Sequence, residues 1–221
     1  PRPGRSVIPR NGVEFLVETV MGNPGTAVIA TGPLTNIALA MRMEPRFARS
    51  MARLSIMGGS TTWGNVTPAA EFNAWADPEA ARIVFSSGAK LTMCGLDLTR
   101  QAAVDAATIA RFRSTGTRTA GVIADLLEYY RAATERLTGA PAVPLHDPCA
   151  VAALAAPELF AFAFARVEVE TRGELTRGMT VMDRRTLTDG EPTPETNCRV
   201  ATTVDAGRLF DLVAEALAAC P

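Results

Sequence analysis

The chain is poor in the side chains that most often announce a chemistry. Among 221 residues there is one histidine, His146, and one lysine, Lys90, in a set of 22 basic side chains. The four cysteines, Cys94, Cys149, Cys198 and Cys220, show neither CxxC nor any other zinc spacing, so a zinc ribbon or a dithiol redox motif is excluded. They read as reduced thiols of a cytoplasmic protein, and no signal peptide is recognisable. With 22 basic against 23 acidic residues, the net charge of −1 leaves no basic block to follow a phosphate backbone, which excludes a nucleic-acid partner. Apolar runs are broken by Pro, Gly or charge well short of about 18 residues, so no membrane span is expected. No Walker A lysine motif, no GxGxxG after a strand and no GxSxG elbow occurs. His146 would have to serve any Ser or Cys triad, and nothing nearby suggests a nucleophile for it.

What is present is a foldable chain, 48% hydrophobic and 20% charged, long enough to bury roughly 70% of its unfolded surface. Pro1 to Asn11 is polar and Pro-rich, and reads as a linker or a cut end. Val13 to Met21 has helical spacing before the Asn23-Pro24-Gly25 turn. A β-branched run, Ala27 to Thr31, stops at Gly32-Pro33 and is followed by a helical Leu34 to Arg42. The same order recurs with Leu54 to Met57, a helix from Asp77-Pro78-Glu79 to Phe85, and Leu91 to Cys94. Alternation of this kind predicts an α/β fold: a mostly parallel open sheet with helices on both faces, in one domain over 1–221. Gln101 to Phe112 and Thr119 to Leu137 read as helices, and Asp147 as an N-cap with Pro148 in the first turn. Phe164 to Glu170, Met179 to Met182 and Cys198 to Val204 alternate as strands, with Thr186 to Thr196 a polar loop. Asp205 to Ala219 is an Asp-capped amphipathic helix.

Ligands of open α/β sheets bind at the carboxyl ends of the strands. That singles out Thr31-Gly32-Pro33, Met57-Gly58-Gly59 with the loop to Asn73, the Asp97 region, and His146-Asp147. His146 beside a carboxylate is an acid/base candidate or a satisfied structural histidine; Asp147 is a cap or part of a site. The sixteen residues from Gly58 to Asn73 are long for a connection. Glu71 and Asn73, two apart, would point the same way in an extended segment and hold ligand hydroxyls. Alternatively, Glu71 is solvated and Asn73 shapes the turn.

Six segments in order, ATGPLTNIALA (30–40), MGG (57–59), GNVTPAAEFNAWADPEAA (64–81), CGLDLT (94–99), HDPCA (146–150) and TRGMTVMDR (176–184), resemble the inosine-uridine preferring nucleoside hydrolases. The resemblance implies their α/β fold and the splitting of a ribonucleoside into ribose and base with a bound calcium ion, Ca2+. It makes the Thr31 backbone carbonyl and the Asp147 carboxylate calcium ligands, places Glu71 and Asn73 on ribose hydroxyls and Met57 against the sugar, and makes His146 the group that protonates the departing base. It also places base-contacting side chains near Tyr129 and Tyr130, and implies a homodimer or homotetramer. The family's opening strand and DxDxxxDD cluster have no match in this chain. Pro1 therefore corresponds to a point inside the family domain, the first strands are expected to be missing, and a sheet edge is expected to be exposed. The expected activity is N-glycosidic hydrolysis by the complete domain; a non-catalytic ribose-binding or oligomerising remnant is the alternative.

Overall fold

The computed structural model describes residues 10–220, so most of the proposed linker at the start lies outside the described residues. The elements run α1 (Gly12–Gly22), β1 (Ala27–Ala30), α2 (Thr35–Met43), α3 (Phe47–Ser50), β2 (Arg53–Met57), α4 (Phe72–Ala76), α5 (Pro78–Phe85), β3 (Leu91–Cys94) and α6 (Leu96–Thr99). They continue with β4 (Ala103–Val104), α7 (Ala106–Arg113), α8 (Arg118–Thr138), β5 (Val143–Pro144), α9 (His146–Ala155), β6 (Phe160–Val169), β7 (Thr180–Thr188), β8 (Cys198–Val204) and α10 (Ala206–Ala219).

Six strands form one sheet in the order β1-β2-β3-β8-β6-β7. The first four pair in parallel, and β6 is antiparallel to both β8 and β7, so β6 alone runs against the rest. The sheet is thus mostly parallel, as the alternation of elements predicts. Burial explains the sequence pattern: β3 is buried at every position and is apolar except for Thr92, as strands covered on both faces tend to be. β1, at one end of the order among the described residues, alternates instead, burying Val28 and Ala30 and leaving Ala27 and Ile29 exposed.

Helices cover both faces. Leu54 and Ile56 of β2 face a core shared with α1, α2 and α5, while Met57 and Cys94 face one built by α9 and α10. Helix starts are set by side-chain caps from Asn11, Asp77, Asp105, Thr117 and Asp205, each worth about 1 kcal/mol. Gly139, at φ +75°, ends α8 in the left-handed conformation that side chains resist.

Four local expectations are corrected. Gln101 to Asp105 is not helical: Ala103-Val104 pairs antiparallel with Val143-Pro144, and α7 begins only where Asp105 caps it. Asp147 is no N-cap, because α9 already starts at His146 and Asp147 sits inside its first turn. β6 starts at Phe160, before the expected Phe164, and β7 runs on to Thr188, into the expected loop. The segment from Glu71 to Asn73 is not extended throughout, since α4 begins at Phe72.

Candidate active site at the strand ends

Register sets the site's floor. Ala30 is level with Ile56, and Met57 with Cys94, so Thr31, Met57 and Cys94 mark one rung at the carboxyl ends of β1, β2 and β3. α9 packs across these strands, and the Ser55 hydroxyl donates to the Ala150 carbonyl at 2.8 Å. That contact brings the start of α9, with His146 and Asp147, to the same end of the sheet. The β4–β5 ladder and the Leu145 N–H to the Ala102 carbonyl (2.9 Å) fix the chain just before His146.

The long loop after β2 is braced at both ends. Glu71 caps α4: one carboxylate oxygen accepts from the Asn73 N–H at 2.9 Å, the other from the Gly59 and Ala74 N–H groups at 2.8 and 3.2 Å. Three of roughly four acceptor positions on an ionised carboxylate are then used. Glu71 is only 2% exposed, so the solvated reading is wrong. Burial raises its pKa, the three N–H donors oppose the rise, and the charge of Asp147 adds to it. Asn73 donates from its amide nitrogen to the Met57 carbonyl at 3.0 Å and lies against the Met57 sulfur at 3.4 Å, and its own Oδ1 has no hydrogen-bond partner among the described residues.

Side chains outside the sequence expectations complete the brace. The Thr180 hydroxyl, from β7, accepts from the Ser60 N–H at 2.8 Å and donates to the Ser60 carbonyl at 2.6 Å. Asp97 accepts from the Ser60 hydroxyl at 3.2 Å, from the Thr61 N–H and from the Thr62 hydroxyl. Burial of Asp97 disfavours its charge, but these donors outweigh it and hold the carboxyl below its usual range. Gly59, at φ +75°, has the Thr180 side chain 2.8 Å from where a Cβ would stand; at Gly64 a Cβ would meet the Ala70 carbonyl at 2.1 Å. Both turns therefore require glycine.

The α9 side differs. Thr99 Oγ1 lies 2.7 Å from His146 Nδ1, and Nε2 has no partner among the described residues. Burial, and secondarily the charge of Arg100, lower the His146 pKa and favour the neutral ring. Arg100 stacks over Trp63 with its guanidinium carbon 4.6 Å from the ring centroid, donates to the Gly64 carbonyl at 3.2 Å, and keeps a buried Nη1 with no partner among the described residues. The Asp147 carboxylate makes no hydrogen bond or ion pair among the described residues, and partial desolvation raises its pKa. Thr31 is exposed at the end of β1.

The structure thus joins Met57, Glu71 and Asn73 through hydrogen bonds, and carries Thr31, His146 and Asp147 to the same end of the sheet. The sequence marks the Asp97 region as a strand end but gives it no role, and leaves Thr99, Thr180 and Arg100 unassigned: the partners of these four are 35 to 120 positions away. Besides the strand-end position of Asp97, the signal available is that Asp97, Thr99 and Thr180 fall in segments carrying the family resemblance. Tyr129 and Tyr130 are exposed on α8. Among the described residues no three His, Cys, Asp or Glu side chains cluster as a metal site. A cavity of about 590 Å3 lies elsewhere, against Met41, Arg42, Glu79, Arg82 and Thr171, and contains none of these residues. An open strand-end rim is the better candidate because the convergent polar groups are there.

Residues 1–211 match the family model described as inosine-uridine preferring nucleoside hydrolase, and the chain belongs to that family of hydrolases. A pyrimidine-specific ribonucleoside hydrolase, RihA, of Citrobacter koseri is 43% identical over 223 residues, covering 99% of this chain and 69% of that protein. A purine-preferring ribonucleoside hydrolase from Gardnerella vaginalis superposes with a TM-score of 0.89 at 32% identity, over 99% of this chain and 69% of that one. A plant nucleoside hydrolase, PpNRh1, gives 0.88 at 29%, over 100% and 71%.

Proposed function

We propose that the protein hydrolyses the N-glycosidic bond of ribonucleosides, releasing ribose and free base. The observation that carries this reading is the unpartnered Asp147 carboxylate beside His146 at the strand ends of a nucleoside hydrolase fold. Asp147 and the Thr31 carbonyl are hard oxygen donors of the kind calcium takes in sets of six to eight, so they would hold part of a Ca2+ shell. When bound, the ion supplies activation of the attacking water. The remaining work belongs to side chains. Cleavage passes through an oxocarbenium-like sugar and leaves a base that departs poorly as an anion. His146 Nε2, which has no hydrogen-bond partner among the described residues, delivers the proton to that base from the cationic ring. The free Oδ1 of Asn73 accepts from a ribose hydroxyl, the last acceptor position of Glu71 takes another, and Met57 lines the sugar. The reading extends to a cytoplasmic homodimer or homotetramer; among the described residues no helix is long and apolar enough to cross a membrane.

The test is ribose release from inosine and uridine by the intact protein, with calcium present and after chelation. Turnover that depends on calcium supports the reading. Binding of ribonucleosides without turnover under both conditions would replace it with the non-catalytic, ribose-binding alternative.

A further inference from the structure

Thr99 is wholly buried, and Nδ1 of His146 is the one hydrogen-bond partner its hydroxyl has among the described residues. A hydroxyl brings one hydrogen and two lone pairs. If Nδ1 carried the ring proton, Thr99 would accept it, and the Thr99 hydrogen would be left in the interior with no acceptor, an arrangement that buried polar groups avoid. If Thr99 donates instead, both groups are satisfied: its hydrogen lies on an unprotonated Nδ1, and the proton of the neutral ring is on Nε2. Nothing else competes for the ring, since Nε2 has no partner among the described residues.

We infer that Thr99 is a positioning residue, whose hydroxyl donates to His146 Nδ1, holds the neutral imidazole as its Nε2–H tautomer and turns that N–H toward the leaving base. The backbone makes this contact durable. The Thr99 N–H is bonded to the Gly95 carbonyl at 3.0 Å, the Thr99 carbonyl accepts from the Ala102 N–H at 3.1 Å, and the Ala102 carbonyl receives the N–H of Leu145, the residue before His146. Two short elements 47 positions apart are therefore pinned within three residues of each other's functional atoms. A hydroxyl suits the place because it can donate to Nδ1 of the neutral ring and, after rotating, accept from Nδ1–H of the cationic one; the cation that passes its Nε2 proton to the base keeps its other proton on Nδ1 against Thr99, and Nε2 is reprotonated from solvent for the next turnover.

This inference rests on the reading of His146 as the acid, and the test separates the two. Ring-nitrogen resonances of His146, identified by their loss in His146→Gln, report the tautomer in long-range proton–nitrogen correlation spectra of the neutral ring. The expected wild-type pattern is an unprotonated Nδ1 and a protonated Nε2. Thr99→Val, which keeps the shape and removes the hydroxyl, should give a tautomer mixture, and Thr99→Ser should restore the single form. In the intact protein Thr99→Val should lower kcat on inosine or uridine about tenfold with little change in KM, in line with other groups that orient a functional histidine, while a nitrophenyl riboside is unaffected. A protonated Nδ1 in the wild type overturns the assignment whatever the kinetics show, and so does a Thr99→Val variant that slows both substrate types alike. Equal losses on the two substrates in His146→Ala, with the wild-type ring in the Nε2–H form, would overturn the acid reading alone and leave Thr99 a tautomer lock without catalytic consequence.

Discussion

The two sides of the strand-end rim treat their carboxylates in opposite ways. On the β2 side, Glu71 is buried and gives its oxygens to three backbone N–H groups, while Asp97 holds the Ser60 to Thr62 turn. On the α9 side, Asp147 sits inside a first turn with no hydrogen bond among the described residues, and His146 has one nitrogen tied and one free. A carboxylate consumed by its own backbone gives shape, and one left without a partner is available to a ligand. Residues equally prominent in sequence thus divide into a scaffold and a reactive edge, and substitution should separate activity from stability on one side and couple them on the other.

The sharpest break is Asp147→Ala. On the proposed reading it removes a calcium ligand and should cost more than about 10⁴-fold in turnover of natural and nitrophenyl ribosides alike. Stability should move by less than about 0.5 kcal/mol, because no hydrogen bond among the described residues is lost. A large fall in denaturation midpoint would place Asp147 with the scaffold.

His146→Ala comes next. It should lower kcat by roughly 10² to 10⁴ on inosine or uridine and leave a nitrophenyl riboside, whose leaving group needs little protonation, nearly unaffected. Comparable kcat losses on both would make the histidine a packing residue.

Glu71 should show the coupling. Glu71→Ala strands three backbone donors, two of them at the start of α4, and should cost roughly 2 to 4 kcal/mol in stability as well as raising KM. Asn73→Ala should lower kcat/KM by a similar factor for every ribonucleoside; a change in base preference at unaltered rate would argue against a role on the sugar. The pH dependence has a definite sign. Burial raises the folded pKa of Glu71 above its unfolded value, so its contribution to stability is complete below the unfolded value of about 4.3 and declines as pH rises through the folded one. The deficit of Glu71→Gln relative to wild type should therefore shrink as pH rises above the unfolded value in denaturant titrations.

The smallest effect tests the core behind both sides. Burial raises the thiols of Cys94, Cys149 and Cys198, the last two to about 12, and Cys220 is exposed. A thiol reagent at neutral pH should modify Cys220 promptly and the other three only on unfolding. Early labelling of Cys94 or Cys149 would mean that the packing of α9 on the sheet opens readily.

Much of this was legible in the chain. Period and punctuation located β1, β2, β3 and β8 and the helices between them, because buried strands are mostly apolar, with Ser55 and Thr92 as buried polar exceptions in β2 and β3, and Asp, Thr, Pro and Gly act within a few residues of the ends they set. The helix assigned over Gln101 to Asp105 failed because a two-residue ladder with Val143-Pro144, some 40 positions away, overrode local spacing. The cap assigned to Asp147 failed for a related reason: the β4–β5 ladder and the Leu145 bond already fix the chain, so the helix starts without a side-chain cap.

The sequence by itself determined the α/β class, the strand ends where a ligand is expected, and the residue types there: one histidine, an aspartate beside it, a Glu-x-Asn pair. Only the tertiary structure decided what each does with its hydrogen-bonding capacity. Glu71 is satisfied by the N–H groups of Gly59, Asn73 and Ala74, the Gly59-Ser60 turn is held by Glu71 and Thr180, and His146 is bonded by Thr99. Hydrogen bonds act over about 3 Å in space and carry no signature of separation along the chain, so a residue's type can be read from sequence, but whether its polar atoms are spent or free is settled only when the fold brings donor and acceptor together.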